Sequence, residues 1–597
     1  VNASWSTVLW ASSVFVPLGF VFALCLLAPS RRPRAVYAKI QLVRTAPLAV
    51  IPTAALALLG PDRVGPFELP WMLLGTHFAM DVLGRPLLFV TALLYGAAMI
   101  AVYSSGTTRT ATLTGFLLIG FVGNAGVFVA ADAITFYLSF AVMSLSAYGL
   151  VIHERTAAAR RAGRVYVVLT MISEVAVLAA VVLTVHAGGL LLADAPSAVA
   201  HSDQRSLIIA LLVVGFGVKA GTFPLHVWLP LAHPAAPPPG SAVLSGTMIK
   251  AGLMGWLRFL PLGEVALPGW GLGIVVVALI GAFLALPPGL LQNDAKVALA
   301  YSSISQMGFL AVLVGTALAT PELTEACTLA AVVYAVHHGM AKGGLFLGVT
   351  VWRTHGEGWV RWWVLIGLGL LALAVAGAPL GSGAVAKYAA KEAISTSTVL
   401  GIGLAELLPL VGTVSTLLLA RAGWLLITGS RDRAWGVDGA IVSWSVLIVG
   451  GTVFTWYLAG QWASVLSVPG LDAVTFWDAT WPILLGIGLA AAGWWLSSRD
   501  FLPAWLAHPD GRILPPGDLV VPEEAMARRL GRTLERGADA LSHANARATR
   551  SAVSVAERLP FSAGDAAETR LSRWVASGVA VLAVTTLVAV VILVGAS

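Results

Sequence analysis

The stretch "GFGVKAGTFPLHVWLPLAHPAAPPPG", Gly215–Gly240, sets Lys219 in an apolar run and interrupts that run at Pro224. Two histidines, His226 and His233, and a cluster of prolines follow. A lysine flanked by apolar residues, next to a helix break, has no place on the solvated face of a soluble helix. The chain around it gives the context. Its 597 residues are 58% hydrophobic and only 11% charged, with a mean hydropathy of +0.87. Soluble domains carry about 25% charged residues. Apolar stretches of about 20 residues recur along nearly the whole length, as membrane-spanning helices require. Transmembrane strands would need alternating apolar and polar residues, and that alternation is absent. The expected fold class is an all-α polytopic membrane protein.

Sixteen spans are expected, near 5–29, 46–61, 86–105, 112–131, 132–153, 165–187, 206–231, 241–262, 268–290, 296–318, 325–350, 363–395, 399–428, 439–466, 477–497 and 573–595. The second is the shortest. Loops after odd-numbered spans carry bases, among them Arg31, Arg32, Arg34, Lys39, Arg44, Arg155, Arg160, Lys296 and Arg353. Loops after even-numbered spans carry mostly acids, such as Asp62, Asp194, Glu264, Glu322 and Asp472. The positive-inside rule then places both termini outside, in the inner (plasma) membrane of a cell. The first apolar segment lacks a basic leader and reads as a retained span, not a cleaved signal. The net charge of +7 sits in short loops, so it reads as a topology signal and not a nucleic-acid patch.

No metal or cofactor is expected. Cys25 and Cys327 lie far apart in apolar spans and form no CxxC or iron–sulfur spacing. No glycine-rich nucleotide loop occurs in a strand–turn–helix setting. The segment 499–572 breaks the apolar pattern. Met526, Leu530, Leu534, Leu541, Ala548, Val555 and Leu559 recur there at helical spacing among arginines. It reads as an amphipathic helix on the cytoplasmic membrane surface or against a partner protein.

A second interruption resembles the first. Span twelve contains "LALAVAGAPLGSGAVAKYAAKEAI", with a break around Pro379 and then Lys387. Two interrupted helices, each with a lysine and five spans apart, suggest two five-helix repeats in opposite orientations. Paired breaks of this kind point to a transport site at mid-membrane. The expected organisation is helices one to three over 1–111, a first repeat over 112–262 and a second over 268–428. Two helices over 439–497, the 499–572 segment and a last helix over 573–597 complete it.

More ionisable residues lie in the spans: Glu174, Lys250, His337, His338 and Lys342. Lysines near helix ends can snorkel to the interface, but Glu174, Lys219 and Lys250 lie too deep for that. Each central charge costs about 2.5–3.5 kcal/mol, so five cost on the order of 12–17 kcal/mol. Such residues mark ion paths. A histidine alone could instead be a hydrogen-bonded core residue.

Together these residues resemble the antiporter-like family. It comprises the large membrane subunits of respiratory complex I, Mrp cation/proton antiporter subunits of the D or A type and the membrane arm of energy-converting hydrogenases. The matching stretches are "VKAGTFPLHVWLPLAHPAAPPPGSAVLSGTMIKAG", "DAKVALAYSSISQMGFL", "HHGMAKGGLFLG" and "GAPLGSGAVAKYAAKE", in order over roughly residues 110–430. The resemblance implies a fourteen-helix core with inverted repeats, broken helices seven and twelve, and a mid-membrane line of charge. By motif position Lys219 is the lysine of helix seven and Lys250 that of helix eight. His338 and Lys342 are the helix-eleven pair, and Lys387 the lysine of helix twelve. His226 and His337 are further relay candidates. One departure stands out: the helix-five glutamate that pairs with the helix-seven lysine is Ala141 here. Glu174, on the next helix at a similar depth, is the expected replacement.

A lysine carries protons only if its pKa falls from about 10.4 toward 7 at some stage. The expected relay runs from Lys219 through Lys250 and the His338/Lys342 region to Lys387. The implied function is proton translocation within a redox-driven complex. The expected partners are other membrane subunits, a peripheral cytoplasmic module and the bilayer. The alternatives are a subunit of an Mrp-like Na+/H+ antiporter or of an ion-coupled inorganic-carbon uptake complex, and a scaffold that does not pump.

Overall fold

The computed structural model describes residues 5–60, 67–70, 75–102, 109–429, 437–507 and most of 509–536; 512, 523, 527, 530, 531 and 534 fall outside the description. The chain is a multi-pass helical membrane protein. Among the described residues, eleven helices are long and apolar enough to cross a bilayer. By internal contacts the chain divides into Val1–Leu519 and Val520–Ser597.

The first unit opens with α1 (Trp5–Leu27), then α2 (Pro33–Thr45) and α3 (Ile51–Leu59), joined by a 3-10 turn. α4 (Gly84–Ala101), α5 (Thr110–Val129), α6 (Ala133–Val151) and α7 (Ala157–His186) follow, then the short α8 (Ala195–His201). The first broken helix is α9 (Arg205–Ala220) and α10 (Trp228–Ala235), with Pro224 in the gap. The next span is α11 (Pro238–Val243) and α12 (Lys250–Phe259), joined by a π-helical turn over Leu244–Met248. α13 (Pro268–Leu284), α14 (Leu286–Leu290), α15 (Ala295–Ala319) and α16 (Thr324–His355) come next. The second broken helix is α17 (Val360–Ala376) and α18 (Ser382–Ala393), with Pro379 in its gap. α19 (Leu404–Thr428), α20 (Gly439–Gln461), α21 (Ala473–Ser498) and α22 (Ala504–Ala507) complete it. Two small antiparallel hairpins, Phe67–Leu69 with Thr76–Phe78 and Thr398–Val399 with Ile402–Gly403, lie in loops.

Several spans start where a short polar side chain can accept the first free N–H groups. Asp132 caps α6 through Thr135 N–H (2.7 Å) and Thr156 caps α7 through Ala159 N–H (3.0 Å). Asp294 caps α15, Asp438 caps α20 and Asp472 caps α21. At the centre, α15 and α16 are almost entirely buried among the other helices.

Two expectations need correction. The second span is longer than expected, because Pro33–Leu59 runs as one helical stretch. Arg34, Lys39 and Arg44 therefore sit on its first half and not in a loop. Proline at the first helical position starts that helix early. Lys296 is not a loop charge either. It is the second residue of α15, only 6% exposed, and its Nζ donates to the Ala236 carbonyl at 2.6 Å.

At the start of α4, Asp81 forms a forked ion pair with Arg258 in the last turn of α12; Nη2 donates to Oδ1 at 2.9 Å. Burial alone would raise the Asp81 pKa, but the Arg258 guanidinium and the Gly84 and Leu83 N–H groups outweigh it and hold the carboxyl below its usual range. A depressed folded value means that the pair stabilises above the unfolded value of about 3.9 and that this is lost as pH falls through the folded value. Asp81 is 40% exposed, so Arg258→Ala should cost only about 1 kcal/mol at pH 7. Melting of the detergent-solubilised protein should show that gap at neutral pH and its closure well below pH 4.

In Val520–Ser597, the described residues from Val520 to Arg536 are helical, with Glu524 and Arg528 paired at 3.7 Å. The rest of the expected amphipathic helix and the span 573–595 lie outside the described residues.

Candidate functional site

The expected relay residues fall into two groups, buried apart from the half-buried Lys387. The first is Glu174 on α7 with Lys219 on α9. They meet because Gly215 lets α9 lie against the α7 backbone: a Cβ there would come within 3.1–3.2 Å of Val177 N and Ser173 O. The Ser173 hydroxyl donates to the Gly215 carbonyl at 2.7 Å. One turn on, Lys219 interacts electrostatically with Glu174. Its Nζ donates to the Tyr166 hydroxyl at 3.2 Å and lies 5.7 Å from that ring and 6.0 Å from the Phe140 ring. Lys219 also occupies the last turn of α9, where the negative end of the helix dipole favours a cation.

Glu174 is 6% exposed, and neither carboxylate oxygen has a hydrogen-bond partner. Ser144 of α6 lies beside it without a regular hydrogen bond. Ser144 is one turn from Ala141, so the carboxylate that Ala141 lacks comes from the neighbouring helix into the same region.

The second group joins helices α12, α15, α16 and α18. Gly246 and Gly339 pack backbone to backbone: a Cβ on Gly246 would lie 3.0 Å from Gly339 O, and one on Gly339 2.7 Å from Gly246 O. This close approach brings Lys250 Nζ within 2.8 Å of His338 Nδ1. The π-helical turn presents the Ser245 carbonyl, to which the same ammonium donates at 2.6 Å. π-turns inside α-helices occur often at functional sites. Lys342 Nζ donates to the Leu299 carbonyl at 3.0 Å and to the Ser302 hydroxyl, both on α15. His337 Nδ1 bonds the Ser382 hydroxyl at the start of α18 (2.8 Å).

Lys387 ends this group. Its Nζ donates at 2.8 Å to the carbonyl of Ala376, the last residue of α17. The ammonium thus caps the half-helix that the break leaves open. In the first break, Trp228 Nε1 serves that purpose at the Val218 carbonyl (2.7 Å). A cavity of about 80 Å³ opens beside Lys387, with Pro379, Lys391, Trp456, Thr475 and Asp478 in its wall. Lys391 and Asp478 are paired there at 2.8 Å.

The Tyr166 hydroxyl of the first group interacts electrostatically with the buried Tyr95, which has Thr247 of the π-helical turn beside it. His226 belongs to neither group. It bonds Asp518 (3.0 Å), in the stretch after the last described span of the first unit.

Sequence reasoning missed several residues. His233 is fully buried on α10, stacked on Phe346 with ring centroids 4.2 Å apart, and neither ring nitrogen has a partner. Its electrostatic neighbours are Lys296, Lys342 and Lys250. Gln306, bonded to Ser415 (2.7 Å) and to Tyr334, links α15 to α19 and α16. Polar residues inside an otherwise apolar span were the available signal. Apart from the lysines, that signal does not separate path from packing.

Residues 130–360 match the family described as NADH:quinone oxidoreductase/Mrp antiporter, TM. Hydrogenase-4 component B of Escherichia coli K12 is 33% identical over 280 residues, 45% of this chain and 41% of that one. NAD(P)H-quinone oxidoreductase chain 4 3 of Trichormus variabilis is 33% identical over 297 residues, 48% of this chain and 53% of that one. The chain thus spans about half the length of the curated relatives it matches. Among solved structures, the Mrp complex from Dietzia sp. DQ12-45-1b aligns with 97% of this chain and 62% of that chain, at a TM-score of 0.69 and 20% identity. The membrane-bound sulfane sulfur reductase, an archaeal respiratory membrane complex, aligns with 98% of this chain and 99% of that chain, at 0.64 and 21%. The antiporter-like resemblance and its helical membrane fold stand.

Proposed function

We propose that this antiporter-like chain is the proton-translocating subunit of a multi-subunit, redox-driven membrane complex. The observation that carries the reading is the run of exchangeable groups from buried Glu174 and Lys219 to buried Lys250, His338 and His337 and half-buried Lys387, anchored in two broken helices. Lys342 flanks that line. Ammonium and imidazole groups exchange protons, whereas a path lined with ammonium groups repels a metal cation. The proton is therefore the carried ion, and Na+ the alternative. Glu174 is the switch: close to Lys219 it holds the ammonium charged, and when it withdraws the buried lysine releases its proton. The proton then passes along the line to Lys387 and out through the cavity beside Lys391 and Asp478.

The paired breaks support two inverted five-helix repeats about this site. The arginine-rich loops support an orientation in a cell's inner membrane with both termini outside. Each proton moved against 100 mV costs about 2.3 kcal/mol. The energy comes from partner subunits, including a peripheral module that carries the redox chemistry. The similarity to hydrogenase and quinone oxidoreductase components favours that source over a second ion.

The test is to purify the complex that contains this chain, identify its subunits and reconstitute it in vesicles that hold a pH-sensitive dye. Electron donor and acceptor should drive pH change in the lumen, abolished by a protonophore and independent of Na+. Turnover without proton movement would leave the scaffold reading. Proton movement driven only by a Na+ gradient would favour the antiporter reading.

A further inference from the structure

The stretch from Pro509 to Leu519 is not a free linker. Its described residues are stitched to the loop between α14 and α15 and to α19. Gly511 N–H donates to Leu291 O at 3.1 Å. Gln292 Nε2 donates to Leu514 O at 2.9 Å and Asn293 Nδ2 to Asp510 O at 2.8 Å. Arg421 of α19 donates to Gln292 O at 2.6 Å and to Pro509 O at 3.4 Å. At Gly517 the backbone turns with φ +75°, and a Cβ there would lie 2.9 Å from Val227 O. This turn lays the strap against the first broken helix.

The strap ends on Asp518. Its N–H donates to the Tyr301 hydroxyl of α15 at 3.3 Å, and its carboxylate lies 3.0 Å from His226 Nε2. His226 sits in the gap between α9 and α10, with the Phe223 ring stacked beside it at 5.7 Å. The side chains differ in access: Asp518 is 17% exposed and His226 only 3%. The other ring nitrogen of His226, Nδ1, is buried with no hydrogen-bond partner. A carboxylate within reach of water thus touches one nitrogen of a buried imidazole whose other nitrogen is unbonded inside the protein.

We propose that Asp518 is the proton-entry residue of this subunit, feeding His226 at the first helix break. The inference rests on the translocation reading above. Asp518 takes a proton from water and passes it to His226 Nε2. The imidazolium so formed releases its Nδ1 proton toward the interior, which leaves a neutral imidazole protonated at Nε2, and tautomer exchange returns the proton to Nδ1 and frees Nε2 for the next transfer. The hydrogen bonds from Gln292, Asn293 and Arg421 hold the strap so that the carboxylate stays in place. Burial would raise the Asp518 pKa, but the hydrogen bond and charge of His226 and the Leu519 N–H outweigh it and keep the carboxyl below its usual range. Tyr301 is the other titratable group at this contact.

The test uses the intact complex in vesicles. Asp518→Asn keeps an oxygen that can accept from His226, so the strap should stay seated while proton exchange stops. Seating is read from disulfide formation between Asn293→Cys and Asp510→Cys. Translocation should fall at least tenfold, and formate or azide, small acids that can replace a missing entry carboxylate, should restore part of it from the strap side. Asp518→Asn transport at the wild-type rate would overturn the proposal. So would slow transport that small acids do not rescue, whether the strap is seated or loose, because Asp518 would then only pin the segment. If the unmodified complex moves no protons, the translocation reading itself fails, and the two failures are distinct.

Discussion

Glu174→Gln should reduce proton translocation by at least about 100-fold, the scale on which a positioned acid–base group acts, while the complex assembles normally. Assembly should survive because glutamine has the same shape and removes a buried carboxylate that has no hydrogen bond of its own. Transport should not survive, because among the described residues Glu174 is the acid that interacts with the Lys219 ammonium. The rescue experiment is sharper. Ala141 is half-buried on α6, next to Phe140, which touches the Lys219 ammonium region, and one turn from Ser144, which lies beside Glu174. Glu174→Gln combined with Ala141→Glu returns a carboxylate to that space from the adjacent helix and should recover part of the rate. Dye-monitored proton uptake in vesicles measures all three proteins. Wild-type transport in Glu174→Gln would remove Glu174 from the path. Loss without rescue would keep Glu174 and deny that Ala141 holds an equivalent position.

The second large effect is expected at Lys387, where two functions can be separated. Its ammonium both caps the Ala376 carbonyl and, on our reading, hands on a proton. Lys387→Met removes both, leaving a carbonyl at the break without its donor, a loss of about 1–3 kcal/mol. Lys387→Arg keeps a cation and its donors, but a guanidinium does not release a proton at any working pH. Assembly, followed by native electrophoresis, should therefore be normal in the arginine variant and weaker in the methionine one. Translocation should fall at least about 100-fold in both. Wild-type transport in Lys387→Arg would show that Lys387 is a structural cap and not a carrier.

Much of the site was legible because its signals are local. A lysine in an apolar run, or a Gly/Pro cluster inside a span, can be read from ten consecutive residues, and the breaks at Pro224 and Pro379 lie where those clusters stand. His338, Lys250 and Lys342 were likewise visible as charge where charge is costly. Lys296 was misread for the same reason. At a helix start, one sequence serves equally for a solvated charge and for a buried ammonium that bonds a carbonyl of another helix.

The sequence by itself determined the membrane class, most helix positions, the two breaks, the lysine inventory and the family resemblance. These depend on hydropathy, on the φ restrictions of proline and glycine, and on motif spacing, all properties of the chain taken locally. Only the tertiary structure decided the partners. Lys250 meets His338 across 88 residues and His226 meets Asp518 across 292, whereas Glu174 beside Lys219 is already an expectation from the sequence. The physical reason is that these spans are apolar nearly all round, so periodicity does not say which face meets which neighbour. Close approach at glycines such as Gly215, Gly246 and Gly339 sets those contacts, and it depends on the surfaces of two helices at once.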